Sequence, residues 1–381
     1  MTISCTWRTM RRMLFFPAVI VLLGLAASRA QGQEFLRLGE SARGLGMGGA
    51  LTAIAGSFDA MFYNPAGLAL TPHARIEISY WREGSRDKDV TDGSDFFDTL
   101  DRLAGTSTAQ VDAFLQSDGK KAQSARTQSF AGYHNETGFG AAYIETTRLS
   151  APASPASPTQ LDLTYDRISG GLFTLAYESD LKLLMWGVTV KFLERTSSFR
   201  TLSAADIGTD AAFSTEFGAA GKNEIDFDVG FIARVPLPFI RPTIGVALMN
   251  GNSPDFNRVT VQALERELNI AIAFEPDFLP DYMRLIITGE QRDSNSSAFP
   301  DEKSNRKREH LGAELSLFPY SPEIYWLHVR VGKSQGFGSF GIGVNLSKFA
   351  TLDFVSYSED VGTPGVQIRQ QREMIQLKLG F

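Results

Sequence analysis

Hydrophobic and polar residues alternate along most of the chain from about residue 75 to residue 381. The segments 182–192, 311–317 and 336–346 show the pattern most regularly. In the last of these, phenylalanine, isoleucine, valine and leucine alternate with serine, glycine and asparagine. A period of two is typical of β-strands that have one apolar face and one polar or small face. The pattern therefore predicts an all-β fold.

Fourteen segments carry this alternation, and the links between them alternate in length. The segments are 74–83, 127–136, 138–148, 164–178, 181–196, 223–235, 240–250, 264–274, 282–292, 307–318, 323–333, 336–347, 349–358 and 371–381. Short links such as 179–180 separate long ones such as 84–126, and only 333–335 breaks the rule. Outer-membrane barrels have short periplasmic turns and long outer loops, whereas a soluble β-sandwich gives no reason for this alternation. The sequence therefore predicts a closed, transmembrane antiparallel β-barrel of about 14 strands over residues 74–381, in the bacterial outer membrane.

The N-terminal residues have the pattern of a secretory signal peptide. Arg8, Arg11 and Arg12 precede an apolar stretch over residues 13–27, and small residues follow at positions 28 and 30. A positive region, an apolar core and small residues before a cleavage point are typical of such signals. We therefore expect residues 1–30 to be a signal peptide.

The C-terminal residues have the pattern of a barrel-insertion signal. Ile375, Leu377, Leu379 and Phe381 share one strand face. This pattern resembles the C-terminal strand by which outer-membrane proteins are recognised by the barrel-insertion machinery. We therefore expect that machinery and outer-membrane lipid as partners.

Composition and charge exclude several function classes. Of the 381 residues, 43% are hydrophobic and only Cys5 is a cysteine, which excludes a disordered chain and a disulfide framework. The net charge is −6 and there is no long basic run, so nucleic acid is not expected as a partner. Removal of residues 1–30 would take away four arginines and the cysteine, leaving a cysteine-free protein with a net charge of −10.

The segment 31–73, ahead of the first predicted strand, is rich in small residues. Gly46, Gly48 and Gly49 lie in a run where backbone could approach backbone closely. The residues of Asn64-Pro65-Ala66-Gly67 suit the successive positions of a type I turn. A compact, apolar leader before a barrel predicts a plug folded into the lumen. A periplasmic extension is the alternative.

These same residues resemble a known family. Residues 35–39, 42–50 and 62–69 are similar to the opening signature of the PorV/PorQ family, which belongs with the FadL-like outer-membrane transporters. FadL-like proteins also carry an Asn-Pro-Ala motif at this place. The resemblance implies a fourteen-stranded barrel with an N-terminal hatch. Residues 56–59 depart from the more acidic turn of many relatives, so no ligand contact is carried over there.

The resemblance leaves two functions open. A PorV-type protein is a non-enzymatic receptor that binds exported proteins and hands them on, as in type IX secretion, and this is our main hypothesis. A FadL-type protein passes fatty acids or other hydrophobic small molecules through its hatch and a lateral opening, and this is the alternative. An enzymatic barrel, a hydrolase, is the third possibility, but the sequence has no nucleophile motif and its four histidines are scattered.

Charged residues on the non-apolar faces of the predicted strands should point into the lumen, because charge facing lipid is costly. These candidate lumen residues are Glu77, Lys191, Asp226, Asp228, Glu314, His328 and Arg330, together with Lys378. They either pair with one another and hold the plug or form a polar conduction path.

The long outer loop 84–126 is the candidate binding element. Its apolar residues recur at helical spacing, namely Phe96, Phe97, Leu100, Leu103 and Phe114. Such a face packs over the barrel mouth or meets a ligand or partner. The acidic spacing in residues 87–98 does not match a calcium loop, and the two GxGxxG patterns lack a dinucleotide-binding context. We therefore expect no cofactor and no metal.

Overall fold

A computed structural model gives the fold of the protein. It describes residues 37–71, 73–86, 102–103, 106–117, 123–151, 160–205, 221–254, 256, 264–277, 281–295, 305–321, 324–361 and 367–381. The expected signal peptide, residues 1–30, lies outside these ranges. The candidate loop residues Phe96, Phe97 and Leu100 also lie outside them.

Fourteen strands in the described ranges form one closed antiparallel barrel. They are β1 (Arg75–Arg86), β2 (Gln123–His134), β3 (Phe139–Ala151), β4 (Gln160–Glu178), β5 (Leu184–Ser203), β6 (Lys222–Arg234), β7 (Pro242–Met249), β8 (Glu267–Phe274), β9 (Met283–Gln291), β10 (Glu309–Ser321), β11 (Ile324–Ser334), β12 (Phe337–Ser347), β13 (Ala350–Asp360) and β14 (Arg369–Gly380). Each strand pairs with its neighbour in sequence, and β14 pairs with β1 from Glu77 opposite Gly380 to Arg86 opposite Gln371. The predicted all-β barrel of fourteen strands is confirmed.

The barrel wall differs in height around its circumference. Strands β4 and β5 have 19 and 20 residues, whereas β7 and β8 have 8 residues each. The link between β11 and β12 is a tight turn in which Gln335 and Gly336 both have positive φ, as a two-residue hairpin turn requires. This turn explains why one link among the long outer loops is short.

The outer face of the barrel is apolar. Large side chains such as Trp186, Phe231 and Phe340 are exposed on it. A second set of exposed aromatic residues, Phe239, Tyr282, Phe318, Phe349 and Phe381, lies at the short-turn end, like the aromatic girdle of membrane barrels. The protein is an integral β-barrel of the bacterial outer membrane, with the short turns at its periplasmic end. Of the helices in the described ranges, none is long and apolar enough to cross a membrane.

Strand β14 places the residues of the expected insertion signal on the lipid side. Ile375, Leu377 and Phe381 are exposed, and Leu379 is half-buried. The intervening Gln376 is buried in the lumen, where its Oε1 accepts a hydrogen bond from the Ala42 backbone N–H at 2.8 Å.

Residues 37–71, here called the plug, fill the middle of the lumen. They form helix α1 (Ala42–Gly46), a 3₁₀ helix (Ser57–Asp59), helix α2 (Ala60–Tyr63) and a second 3₁₀ helix (Pro65–Leu70). Ser41 caps α1 by accepting a hydrogen bond from the Gly44 N–H at 3.1 Å. Most plug residues are buried against inward-facing side chains of the barrel.

Helix α3 (Thr108–Ser117) belongs to the long loop between β1 and β2. Its Val111 and Leu115 are buried in a cluster with Leu161, Leu163 and Leu202 of β4 and β5. Leu103 and Phe114 pack against the same cluster and are partly buried. The helical apolar face of this loop is therefore packed on the tall part of the barrel wall.

Candidate functional site: the plugged lumen

The Asn-Pro-Ala-Gly motif anchors the plug to the barrel wall. Asn64 is fully buried, and its Nδ2 donates to the carbonyl oxygens of Thr52 (2.8 Å), Phe231 (3.1 Å) and Val246 (3.4 Å). Its Oδ1 accepts from the Ala66 N–H at 3.1 Å and so caps the second 3₁₀ helix. One side chain therefore ties together two parts of the plug and two strands, β6 and β7.

Glycines on the inner face of the barrel make room for this anchor. A Cβ atom on Gly187 would lie 2.5 Å from the carbonyl carbon of Pro65, and one on Gly230 would collide with Asn64 Oδ1. Ala66 packs with Met185 and Ile232 of the same strands, while Gly67 fits against the backbone of Ala55. Backbone and short side chains therefore touch the wall directly here, as the small residues of the motif allow.

The glycines at the end of α1 and directly after it make similar close approaches to the opposite wall. Gly48 and Gly49 have positive φ, and a Cβ on Gly48 would lie 2.5 Å from the carbonyl oxygen of Leu311. A Cβ on Gly46 would lie 3.3 Å from Arg330 Cβ. His310 Nδ1 is 2.7 Å from the Gly48 carbonyl oxygen. The predicted plug glycines therefore lie where backbone meets the barrel.

A chain of ion pairs fastens α1 to strands β10–β14. Arg43 of the plug contacts Glu314 at 3.1 Å, and Glu314 also binds Arg330 at 2.7 Å. Arg330 continues to Asp353 at 2.6 Å, and Asp353 to Lys378 at 3.8 Å. Buried charges of opposite sign that alternate in this way compensate one another. We call this side of the plug its ionic face.

A second buried network holds the plug near its first described residues. Glu40 of the plug contacts Arg126 at 2.6 Å and Arg37 at 3.1 Å, and Arg126 binds Glu83 of β1 at 2.6 Å. Burial would raise the pKa of the Glu40 carboxyl, but the guanidinium groups of Arg126 and Arg37 outweigh it and hold the pKa below its usual range. Trp81 Nε1 donates to the Glu40 carbonyl oxygen at 3.0 Å. Glu40 is therefore held as a carboxylate.

A third group of charges lies on β5 and β6. Lys191 Nζ lies 2.6 Å from Asp226, 2.7 Å from Asp228 and 2.7 Å from Asn250 Oδ1. All four side chains are buried. The ammonium group thus has three oxygen partners, which compensates its charge inside the barrel.

The predicted lumen residues therefore fall into separate groups. Glu314 and Arg330 meet directly, Lys191 meets Asp226 and Asp228 elsewhere, and Glu77 and His328 line a cavity described below. Sequence reasoning missed Glu40, Arg43, Glu83 and Arg126. Glu83 lies an even number of residues from Glu77 on the same strand, so the alternation could have predicted that it points into the lumen. Periodicity does not indicate which plug residues contact these strands.

Between its polar contacts with β2, the plug has an apolar patch that faces β2–β4. Plug residues Leu38, Met61 and Phe62 pack here against the wall residues Phe130, Ile144 and Leu172. The rings of Phe62 and Phe130 meet edge to face at 5.4 Å. Nearby Tyr63 is also buried, and burial raises the pKa of its hydroxyl to about 12, so it is neutral at physiological pH. We call the contact of plug residues Leu38, Met61 and Phe62 with wall residues Phe130, Ile144 and Leu172 the apolar seam.

Below the plug, at the periplasmic end, lies a cavity of about 1360 Å³. Its wall carries charged residues including Arg43, Glu77, Arg330 and His328, and its top is formed by Phe58 and other apolar plug residues. At the plug itself the space around Arg37, Leu38 and Phe62 is only about 30 Å³, about one water. The lumen is therefore open below the plug and filled at its level.

The described residues hold no group of three or more His, Cys, Asp or Glu side chains placed for a metal ion. Ser57 Oγ and His134 Nε2 are 3.2 Å apart where the plug meets β2, and this contact is one more tie between plug and wall. The geometry of the lumen is thus that of a barrel closed by a docked segment.

No protein-family model and no curated protein matches the chain. Among solved structures, the deltaS2 mutant of the TodX monoaromatic hydrocarbon channel has a TM-score of 0.53 at 11% identity, covering 91% of this chain and 99% of its own. The deltaS2S3 mutant of the same channel gives 0.52 at 11% identity, with coverages of 90% and 98%. The toluene transporter TbuX of Ralstonia pickettii gives 0.50 at 14% identity, with coverages of 91% and 100%. The chain therefore shares the barrel fold of these channels.

Proposed function

We propose that this protein is a non-enzymatic outer-membrane channel that passes apolar small molecules past a luminal plug. The observation that carries the proposal is a cluster of apolar side chains that runs between plug and wall down to the periplasmic cavity. The shared fold with a monoaromatic hydrocarbon channel and a toluene transporter supports it.

The closed lumen favours apolar over polar solutes. The space at the plug admits about one water, so a solute has to displace side chains in order to pass. A polar solute would lose its hydration without gaining hydrogen bonds from the apolar side chains, which is unfavourable. An apolar solute exchanges one apolar contact for another. A wide general porin does not fit this lumen.

The exported-protein receptor, our main hypothesis from the sequence, has less support. It came from the PorV/PorQ resemblance, and its candidate binding element was the apolar helical face of the long outer loop. The described part of that face, including Leu103 and Phe114, packs against β4 and β5, so packing accounts for its periodicity. The hydrophobic channel, the sequence-based alternative, therefore becomes the proposal.

Uptake by intact cells tests the proposal, because the outer membrane itself is the barrier that the channel would bypass. Initial uptake of labelled toluene and of labelled oleate is compared in cells with and without the protein, with sucrose as the polar control. We expect faster uptake of at least one apolar probe and unchanged sucrose uptake. Equal uptake of both apolar probes with and without the protein contradicts the proposal.

A further inference from the structure

The plug has two unlike sides, and this difference bears on the route of a solute. On the ionic face, Arg43 joins a run of paired charges that includes Glu314 and Arg330. On the other side, the apolar seam packs Leu38, Met61 and Phe62 against apolar side chains of the wall. Charged side chains such as Lys191 and Asp228 lie beside the seam but bind each other. A solute that crosses the plug must open one side or the other.

The apolar seam belongs to a cluster that continues in both directions. Toward the outside the same cluster includes Leu193 of β5 and Phe256 and Leu264 of the loop between β7 and β8. Toward the periplasm it includes Phe58, whose ring meets that of Phe130 at 5.2 Å and which also lines the large cavity. Apolar side chains therefore connect the outer part of the lumen to the periplasmic cavity along this side of the plug.

The two sides differ in what opening them costs. Parting Arg43 from Glu314 leaves a buried charge with fewer partners, and an apolar solute cannot replace the lost one. Parting Phe62 from Phe130 separates apolar surfaces, and an apolar solute that enters between them restores the contact. The same solute is therefore favoured in the seam and disfavoured at the ionic face.

We propose that apolar solutes cross the plug along the apolar seam while the ionic face stays docked. This inference rests on the proposed function and names the route within it. Met61 and Phe62 are the side chains that move aside when a solute enters, because methionine is flexible and Phe62 is only partly buried. The wall opposite carries the small residues Gly132, Gly140 and Ala142, and plug side chains fill the space beside them: a Cβ on Gly140 would collide with Met61 Cε. A solute therefore enters only as Met61 and Phe62 move aside, and the solute class is uncharged and apolar.

A disulfide across the ionic face separates the two routes. A Cβ on Gly341 would lie 3.3 Å from Gly46 Cα, and a Cβ on Gly46 would lie 3.5 Å from Gly341 Cα, so a Gly46→Cys/Gly341→Cys pair brings two thiols together across this face. Thiol labelling shows whether the disulfide has formed. Cys5, in the expected signal peptide, is the one natural cysteine. Toluene uptake is measured in the same cells before and after reduction, which controls for folding. We expect rates within twofold of each other.

Changing the width of the seam gives an independent test. Phe62→Ala should raise toluene uptake several-fold without admitting sucrose, and Ala142→Phe should lower it about tenfold. The matched control is Ala271→Phe on β8, where another alanine faces plug residue Ala53, and it should leave uptake within twofold. Amounts of folded protein in the outer membrane are compared for all variants.

Several results would overturn the route. A disulfide that stops uptake until it is reduced means that the ionic face has to open. Equal loss in Ala142→Phe and Ala271→Phe, with no gain in Phe62→Ala, means that the seam is not special. If the unmodified protein does not speed toluene uptake at all, the proposed function fails for this probe and the seam route fails with it.

Discussion

Replacing Asn64 by alanine should release the middle of the plug from the barrel wall. The change removes the hydrogen bonds from the Asn64 amide to the Phe231 and Val246 carbonyl oxygens of the wall, and the bonds to Thr52 and Ala66 within the plug. A hydrogen bond contributes about 0.5–1.5 kcal/mol to stability. The loss of all four is therefore about 2–6 kcal/mol in the free energy of the docked plug.

Hydrogen exchange of the detergent-solubilised barrel measures this loss. About 1.4 kcal/mol corresponds to a tenfold change, so backbone amides of residues 51–66 should exchange about 30-fold to 10⁴-fold faster in Asn64→Ala. The matched control is Asn345→Ala on the inner barrel wall, where Asn345 bonds to Tyr325 and Thr351 instead. Unchanged protection of residues 51–66 in Asn64→Ala would refute the assignment of Asn64 as the anchor.

Three further changes test other parts of the plug. Arg43→Ala removes the plug member of the ionic face and should weaken docking of α1 by about 1.5–3 kcal/mol, seen as faster exchange in residues 42–46; unchanged exchange would mean that the α1 backbone contacts suffice. Gly230→Leu places a side chain where Asn64 lies, so the plug should become sensitive to added protease while the barrel remains folded; a resistant plug would contradict this fit. The pKa of Glu40 is below its ordinary value of 4.5, so the stabilisation that this carboxylate gives the plug is complete above about pH 4.5 and is lost as the pH falls through the lower pKa. Hydrogen exchange near residue 40 should therefore become faster in acid. A Glu40→Gln variant should lack this pH dependence.

The alternation of residues predicted the barrel because each strand is half in lipid and half in the lumen. That constraint acts on every second residue, so strands such as β12 can be predicted from the sequence alone. Strand ends are set by hydrogen bonds to neighbouring strands, which periodicity does not report. For this reason β5 was predicted to end near residue 196 but continues to Ser203.

The plug contacts were not predictable in the same way. Strand parity places Glu314 and Arg330 in the lumen, but their plug partner Arg43 is 271 residues away from Glu314 in the sequence. Nothing in a local pattern indicates such a contact. The small residues at Gly187 and Gly230 did carry a signal, because they lie on inner faces where larger side chains would fill the lumen. Their position opposite Pro65 and Asn64 required the fold.

Co-purification tests the central claim most directly. The protein is extracted from its own outer membrane in mild detergent, and mass spectrometry identifies both the proteins and the extractable small molecules that accompany it. We expect an apolar small molecule to be enriched over a preparation of an unrelated barrel, without exported proteins at comparable amounts. Exported proteins that share a C-terminal domain, found without any enriched apolar molecule, would contradict it and favour the secretion receptor.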